Sequence, residues 1–190
     1  MTTIYFIRHA EPDYNNHDEL TRPLTEKGKR DVELVNKFLE VKQIDIVLSS
    51  PFLRALETVN GIADKIKRNV IVVDDFRERR VDSSWIEDFN EFSMKQWNDF
   101  DYKLSDGECL REVQKRNINA LNKVLFEYEN KNIVIGSHGT ALSTVINYYD
   151  DTYGYNDFNK IRRLMPWIVK FTFDAEQFVN IEKINVFGNL

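Results

Sequence analysis

Hydrophobic and polar positions along the chain follow two different periods, and their order predicts the fold class. Short, nearly continuous apolar runs are typical of strands buried on both faces, whereas apolar residues at helical spacing predict amphipathic helices. Four such runs alternate with helical stretches and two more close the chain, at residues 4–7, 44–48, 70–73, 132–135, 167–173 and 178–186. The order predicts a three-layer α/β/α sandwich with a mostly parallel central sheet and a C-terminal β-hairpin.

Four stretches between the strands have the spacing and end signals of helices. Thr25 is a suitable N-cap for a helix over 26–41, and Ser50-Pro51 suit the cap and first position of the next helix. Apolar spacing predicts two more helices, at 110–128 and 139–149. Residues 82–106 interleave aromatic and acidic side chains, which predicts one or two short helices in a lid-like insertion. We therefore expect a single domain over residues 1–190 that carries this insertion.

Composition and charge exclude several classes of protein, but they do not identify a binding partner. The 190 residues are 42% hydrophobic and 30% charged, as is ordinary for one globular domain. The net charge of −5 gives no general attraction to nucleic acid or to anionic membranes. A single cysteine excludes an internal disulfide, and we find neither a secretory leader nor a membrane-spanning apolar run. We expect a cytoplasmic protein that binds neither nucleic acid nor membrane.

Each predicted parallel strand delivers a charged or titratable side chain near its carboxyl end. These side chains are Arg8 and His9 after the first strand, Arg54 after the second, Glu78 beyond the third, and His138 after the fourth. In open α/β sheets the carboxyl ends of the strands border the ligand crevice. Any one of these residues has an ordinary structural interpretation, such as a solvated arginine. Their coincidence at one sheet edge predicts a shared polar site.

The residue types in this set favour phosphoryl transfer. Two guanidinium groups in one crevice match the oxygens of a phosphate or carboxylate. A histidine aimed at phosphorus can act as a nucleophile, and a nearby carboxylic acid can protonate the leaving oxygen. The residues therefore predict a metal-free and cofactor-free reaction through a phosphohistidine.

Five segments, in order, resemble those of a known family. They are Arg8-His9-Ala10-Glu11 with Asn15 six residues after the histidine, Ser49 to Thr58, Phe76-Arg77-Glu78 with Trp85-Ile86-Glu87, Asp106-Gly107-Glu108 with Val113 and Arg116, and Ser137-His138-Gly139. Together they resemble the histidine phosphatase superfamily, which has the phosphoglycerate-mutase-like fold. Departures from its pattern include Pro12 in place of a serine or threonine, and Ser83-Ser84 where a glycine is usual.

The resemblance implies a role for each matching residue. His9 would be the phosphorylated nucleophile, and Glu78 the proton donor to the leaving group and then the base for water. The phosphoryl oxygens would be bound by Arg8, Arg54, His138, Asn15 and the backbone around Gly139. One branch of the superfamily has an aspartate directly after the second histidine; Gly139 stands there in this chain, which supports Glu78 as the acid.

Several functional alternatives stay open at this level. We favour a phosphatase acting on a small phosphorylated metabolite, because mutases of the family generally carry a longer insertion. A phosphomutase and a non-catalytic phosphate-binding module are the alternatives, and a metal site at His9, Asp13 and His17 is disfavoured by the adjacent arginine. The aromatic residues of the insertion either pack a lid or contact an apolar substrate. Arg22, Arg79 and Arg80 either bind a second negative charge or are solvated at the rim.

Overall fold

The computed structural model describes residues 1–84 and 86–188, which include a six-stranded sheet. The strands are β1 (Thr2–Arg8), β2 (Ile46–Ser49), β3 (Ile71–Val72), β4 (Asn132–Ser137), β5 (Trp167–Asp174) and β6 (Gln177–Ile184). Their order across the sheet is β3-β2-β4-β1-β5-β6. The first four strands run parallel, and β5 pairs antiparallel with both β1 and β6. The predicted parallel sheet with a C-terminal hairpin is confirmed.

The helices of the described residues match the predicted pattern except for an additional helix, α6, and a later start of α2. They are α1 (Glu26–Leu39), α2 (Leu53–Lys65), α3 (Phe89–Asn98), α4 (Leu110–Glu127), α5 (Gly139–Tyr149) and α6 (Tyr155–Ile161), with a 3₁₀ turn at Asp74–Phe76. None of these helices is both long and apolar enough to cross a bilayer. The seven-residue α6 was not predicted, because two turns are too short to show a helical period. Helix α3 is the helix of the insertion, and Trp85 lies outside the described residues.

The start of α2 corrects the predicted cap. Phe52 is the N-cap residue, so Ser50 and Pro51 lie before the helix instead of opening it. The Ser50 hydroxyl accepts a hydrogen bond from the Phe52 N–H at 3.2 Å and makes a second one with His138. The helix starts two residues later than its sequence signals suggest. Arg54 nevertheless remains in the first turn.

Two apolar clusters cover the two faces of the sheet. Along β1 the side chains alternate, so that Ile4 and Phe6 face one cluster while Tyr5 and Ile7 face the other. Helices α4 and α5 complete the first cluster, and helices α1 and α2 complete the second. The three-layer arrangement is therefore confirmed. It holds β1 from both sides.

Backbone register aligns the ends of the three central parallel strands. Arg8 of β1 pairs with Ser137 of β4, and Ser49 of β2 pairs with Gly136 of the same strand. One residue further on, the His9 N–H donates to the Ser137 carbonyl at 3.0 Å, and the Ser50 N–H donates to the Gly136 carbonyl at 2.9 Å. The backbone hydrogen bonds of the sheet thus continue into the residues that begin the site.

Candidate active site

Two histidines lie side by side at the carboxyl edge of the sheet. The ring centroids of His9 and His138 are 5.3 Å apart, and both side chains are buried. They follow neighbouring strands, β1 and β4, whose register brings them together. The structure therefore juxtaposes the two histidines that the strand pattern assigns to one site.

The His9 ring is oriented by its own backbone neighbourhood. Its Nδ1 lies 2.7 Å from the carbonyl oxygen of Ala10. Because a carbonyl only accepts, this contact assigns the proton to Nδ1 and leaves the lone pair on Nε2. Burial, followed by the charges of Arg54 and Arg8, lowers the pKa of His9 well below its usual 6.5. At neutral pH the ring is therefore uncharged and can act as a nucleophile through Nε2.

His138 is held by a hydroxyl that the sequence analysis assigned to a helix cap. Its Nε2 lies 2.6 Å from the Oγ of Ser50, and its ring packs against Phe52. Its Nδ1 is buried and has no hydrogen-bond partner among the described residues. Burial, then the charge of Arg54, lowers the pKa of His138 well below 6.5. One feature of the sequence could have indicated that Ser50 belongs to the site: it directly follows β2, at the same sheet edge as the histidines.

Arg8 is buried and is anchored from behind by the C-terminal end of α6. Its Nη1 donates to the carbonyls of Ile161 at 2.5 Å and Leu164 at 3.4 Å, and its Nη2 donates to that of Arg162 at 3.1 Å. No carboxylate of the described residues forms an ion pair with it. Arg8 therefore brings to the site a positive charge that these backbone dipoles orient without neutralising.

Gly139 makes this position of Arg8 possible. A Cβ atom at residue 139 would lie 3.1 Å from the Cζ, Nε and Nη2 atoms of the Arg8 guanidinium. That separation is tighter than ordinary van der Waals contact, and the guanidinium is already tied to three carbonyls. The absence of a side chain at 139 is thus a packing requirement of the site.

Arg54 and Arg22 share one carboxylate, that of Glu19. The Arg54 Nη2 lies 2.6 Å from one Glu19 oxygen, and the Arg22 Nη1 lies 2.9 Å from the other. The Arg54 Nη1 also donates to the Glu19 carbonyl at 2.8 Å. Both arginines are buried, while Glu19 comes from an exposed loop. Arg22, expected at the rim, is thus part of the cationic interior of the site.

Glu78 lies at the N-terminal end of α5, the helix that directly follows His138. Its two carboxyl oxygens accept the N–H groups of Thr140 at 2.9 Å and Ala141 at 3.0 Å, and one of them accepts the Arg79 N–H at 2.7 Å. The positive end of the α5 dipole faces the same carboxyl group. The structure therefore brings Glu78 to the residues that directly follow His138.

Asn15 is not brought to the cleft with the other predicted residues. Its side chain is exposed and donates to the Asp13 carboxylate at 2.9 Å, and its backbone N–H donates to the same oxygen at 3.0 Å. These contacts form a local turn in the loop after β1. In this arrangement the phosphate-binding role assigned to Asn15 from family spacing has no geometric support.

These groups open into a cleft of about 970 Å³ that is strongly cationic. The described residues that line it include seven arginines and three carboxylates. This local excess of positive charge contrasts with the net charge of −5 of the whole chain. The arginines are Arg8, Arg22, Arg54, Arg77, Arg79, Arg80 and Arg162. The cleft is suited to an anionic ligand considerably larger than a phosphate ion.

Three comparisons place this geometry among known proteins. The histidine phosphatase superfamily (branch 1) is matched by residues 4–185. Uncharacterized phosphatase PhoE of Bacillus subtilis (strain 168) is 28% identical over 150 residues, covering 77% of this chain and 76% of that protein. Probable phosphoglycerate mutase GpmB of Cronobacter sakazakii (strain ATCC BAA-894) is 26% identical over 161 residues, covering 77% and 74%.

The fold is also that of solved structures. A phosphoserine phosphatase of Entamoeba histolytica, solved as a mutant in complex with phosphoserine, superposes with a TM-score of 0.77 at 24% identity, covering 97% of each chain. The phosphoglycerate-mutase-like fold expected from the sequence is confirmed. Because the family match spans nearly the whole chain, this protein is an enzyme that belongs to the histidine phosphatase superfamily, branch 1.

Proposed function

We propose that this chain is a metal-independent phosphomonoester hydrolase that acts through a phosphohistidine on His9. The observation that carries the proposal is the state of the His9 ring. It is buried beside two arginines, its Nδ1 is bound to the Ala10 carbonyl, and its Nε2 lone pair is available. A neutral imidazole next to guanidinium groups is suited to attack a bound phosphoryl group.

In the first step, the His9 Nε2 forms a bond to phosphorus while the bond from phosphorus to the ester oxygen breaks. Arg8, Arg54 and the buried Nδ1 of His138 are the candidate donors to the phosphoryl oxygens, with support from the backbone at Gly139. The departing oxygen takes a proton from Glu78. The products of this step are the free alcohol and phosphorylated His9.

In the second step, water attacks the same phosphorus atom and gives a proton to the Glu78 carboxylate. The bond between Nε2 and phosphorus breaks, inorganic phosphate leaves, and the neutral His9 is restored. The proton that Glu78 lost in the first step is thereby returned. The contacts of Glu78 with the Thr140 and Ala141 N–H groups support this assignment, because they fix the carboxyl group in the wall of the cleft that His9 also lines.

Replacing the nucleophile is the direct test. We expect His9→Ala to lower kcat for an aryl phosphate by at least about 10³-fold, because no covalent intermediate can form. The wild type should accumulate an acid-labile phosphoenzyme in rapid-quench labelling, and the variant should not. His17→Ala is the matched control, since His17 lines the same cleft from the loop after β1. Substantial turnover by His9→Ala, or strong loss of wild-type activity with EDTA, would refute the mechanism.

The proton donor has a separate test. Glu78→Gln should slow the hydrolysis of alkyl phosphates by about 10²-fold or more and that of nitrophenyl phosphate far less, because only the poor leaving group needs a proton. Asp82→Asn is the control, since Asp82 also lines the cleft. Equal losses for both substrates would assign the acid to another residue.

A phosphomutase is the second candidate, because relatives of this chain are named as probable phosphoglycerate mutases. The two reactions diverge only after the phosphohistidine forms, when the phosphoryl group passes either to water or back to a sugar acid. Incubation with 3-phosphoglycerate separates them: a phosphatase releases inorganic phosphate, and a mutase produces the 2-phospho isomer. We expect phosphate, from a small phosphorylated metabolite of the cytoplasm as the natural substrate.

A further inference from the structure

We propose that Arg79 and Arg162 form a second anion-binding subsite in the cleft, so that the substrate is a phosphomonoester with a second negatively charged group. The inference rests on the proposed function and adds the substrate class to it. It starts from the fact that the cationic cleft holds more arginines than one phosphoryl group requires.

Most of the cleft arginines already have an anionic or backbone partner. Arg22 and Arg54 pair with Glu19, and Arg77 pairs with Asp74 and Glu108. Arg8 is tied to three carbonyls, as described above. Among the ion pairs of the described residues, none involves Arg79, Arg80 or Arg162, and of these three Arg80 is exposed to solvent while Arg79 and Arg162 are at least partly buried. These two guanidinium groups therefore line the cleft without a protein carboxylate.

Arg79 is built into the wall of the cleft. It is only 4% exposed, and its guanidinium carbon lies 5.3 Å from the Phe89 ring centroid and 5.1 Å from that of Phe92. Its Nη1 donates to the Gln96 side-chain oxygen at 2.6 Å, and its buried Nε has no partner among the described residues. Burial lowers the pKa of Arg79, because the charged guanidinium is poorly solvated there. Such a charge gains much from an anionic ligand.

Gln96 fixes the direction of this arginine. Its amide nitrogen donates to the carbonyls of Tyr102 at 3.0 Å and Glu108 at 2.9 Å, so its oxygen must face the guanidinium. The side chain is fully buried. Arg79 is thus held by two aromatic rings and one oriented amide, none of which neutralises its charge.

Arg162 reaches the cleft from the end of α6. Its guanidinium carbon lies 5.3 Å from the same Phe89 ring, and its Nη1 bonds to the side-chain oxygen of Asn90. Its backbone carbonyl accepts a hydrogen bond from Arg8. The residue is therefore anchored to the proposed phosphoryl-binding arginine, while its side chain bonds to neutral amide oxygens.

The Phe89 ring contacts the guanidinium groups of both arginines, which indicates what the insertion contributes. An aromatic face attracts guanidinium groups and orients them without supplying a counter-charge. Of the two interpretations of the aromatic insertion, this geometry favours packing, with the stacked rings presenting arginines to the cleft. A carboxylate or a second phosphate of the ligand then supplies the missing negative charge, since both match the guanidinium fork.

The test compares ligands that differ only in the second charge. We would titrate 3-phosphoglycerate, glycerol 3-phosphate and glycerol 1,3-bisphosphate into His9→Ala, in which the proposed turnover is absent. 3-Phosphoglycerate or the bisphosphate should bind about tenfold more tightly than glycerol 3-phosphate, whose other terminal carbon carries only an uncharged hydroxyl group. Which of the two shows the larger preference identifies the second group as carboxylate or phosphate.

Variants assign the preference to residues. Added to His9→Ala, Arg162→Gln should remove most of the preference while changing glycerol 3-phosphate binding by less than about twofold. Arg162→Lys should restore part of it by keeping the charge. Arg79→Met, which keeps the stem packed between the rings, should act like Arg162→Gln. Exposed Arg163→Gln is the matched control and should leave all three affinities unchanged.

Two outcomes overturn the subsite, and neither depends on the proposed catalytic function. One is equal affinity for the three ligands, and the other is a preference that survives both Arg162→Gln and Arg79→Met. If His9→Ala retains turnover, the hydrolase mechanism fails, and the same affinity ratios still decide the subsite. If wild-type enzyme hydrolyses glycerol 3-phosphate but shows no charge preference, the subsite fails and the hydrolase remains.

Discussion

Two parts of the site are built in different ways: one that contains His9 and His138, here called the inner end, and one that contains Arg79 and Arg162, here called the outer end. At the inner end, His9 and His138 extend two hydrogen-bonded strands, so their separation follows from the register of β1 and β4. At the outer end, Arg79 and Arg162 are held by stacking on Phe89 and by side-chain amides. Backbone pairing fixes the inner groups, whereas side-chain packing fixes the outer ones. Substitutions in the insertion can therefore change ligand preference and leave the histidine pair in place.

The largest loss of activity should come from a substitution that disturbs the inner end. Gly139→Val places carbon atoms against the Arg8 guanidinium, which three carbonyls prevent from moving away. We expect a loss of about 100-fold in kcat/KM, the cost of a misplaced binding group. Gly154→Ser is the control, since a Cβ there meets nothing within 4 Å and serine suits the N-cap position that Gly154 occupies in α6. Near-normal activity of Gly139→Val would show that Arg8 is less rigidly held than the contacts imply.

An effect of intermediate size is expected on the pH dependence of the free energy of unfolding. The pKa values of buried His9 and His138 are lowered well below 6.5, so below that pH the unfolded chain binds more protons than the folded one. Stability should therefore fall as pH drops below about 6.5, by up to about 1.4 kcal/mol per pH unit for each histidine, until the folded pKa values are reached. Urea unfolding between pH 5 and 7.5 should show a shallower dependence for His9→Ala. Identical slopes would contradict the depressed pKa of His9.

The smallest effect should come from Glu19, in the loop after β1. Glu19→Gln removes the carboxylate shared by Arg54 and Arg22, leaving both free to bind an anion. Inhibition by inorganic phosphate should tighten by about threefold, in line with the loss of one half-exposed ion-pair partner. Glu26→Gln removes an exposed carboxylate on α1 and should change nothing. Weaker inhibition in Glu19→Gln would mean that the carboxylate orients Arg54 for phosphate.

Most residues of the inner end could be predicted from the sequence, because they follow buried parallel strands. Buried parallel strands have recognisable apolar runs, and their carboxyl ends share one edge, so Arg8, His9 and His138 could be assigned together. Ser50 was placed at the correct edge but was predicted to cap a helix, since the sequence does not show which group a hydroxyl binds. The role of Asn15 was predicted only from its spacing after His9, and in the structure its side chain bonds to Asp13.

The outer end could be predicted only in part from local pattern: Arg79 was one of three arginines that could bind a second negative charge, and Arg162 was not identified. Arg162 lies more than 150 residues from Arg8 and follows a helix too short to show a period. Arg79 stands in a run of charged residues that resembles a solvated segment, and its burial depends on Phe89, Phe92 and Gln96. Contacts between distant segments decide these positions, and no local propensity reports them.

The bond from Arg8 to the end of α6 has a consequence for the newly made chain. It spans 153 residues between Arg8 and Ile161, and β1 also needs β5 as its neighbour on one side. A nascent chain that ends between residues 138 and 160 has Arg8, both histidines and Glu78, but it lacks the three carbonyls that orient Arg8. The oriented guanidinium of Arg8 is therefore a late product of synthesis, because it needs residues 161–164 to have left the ribosome.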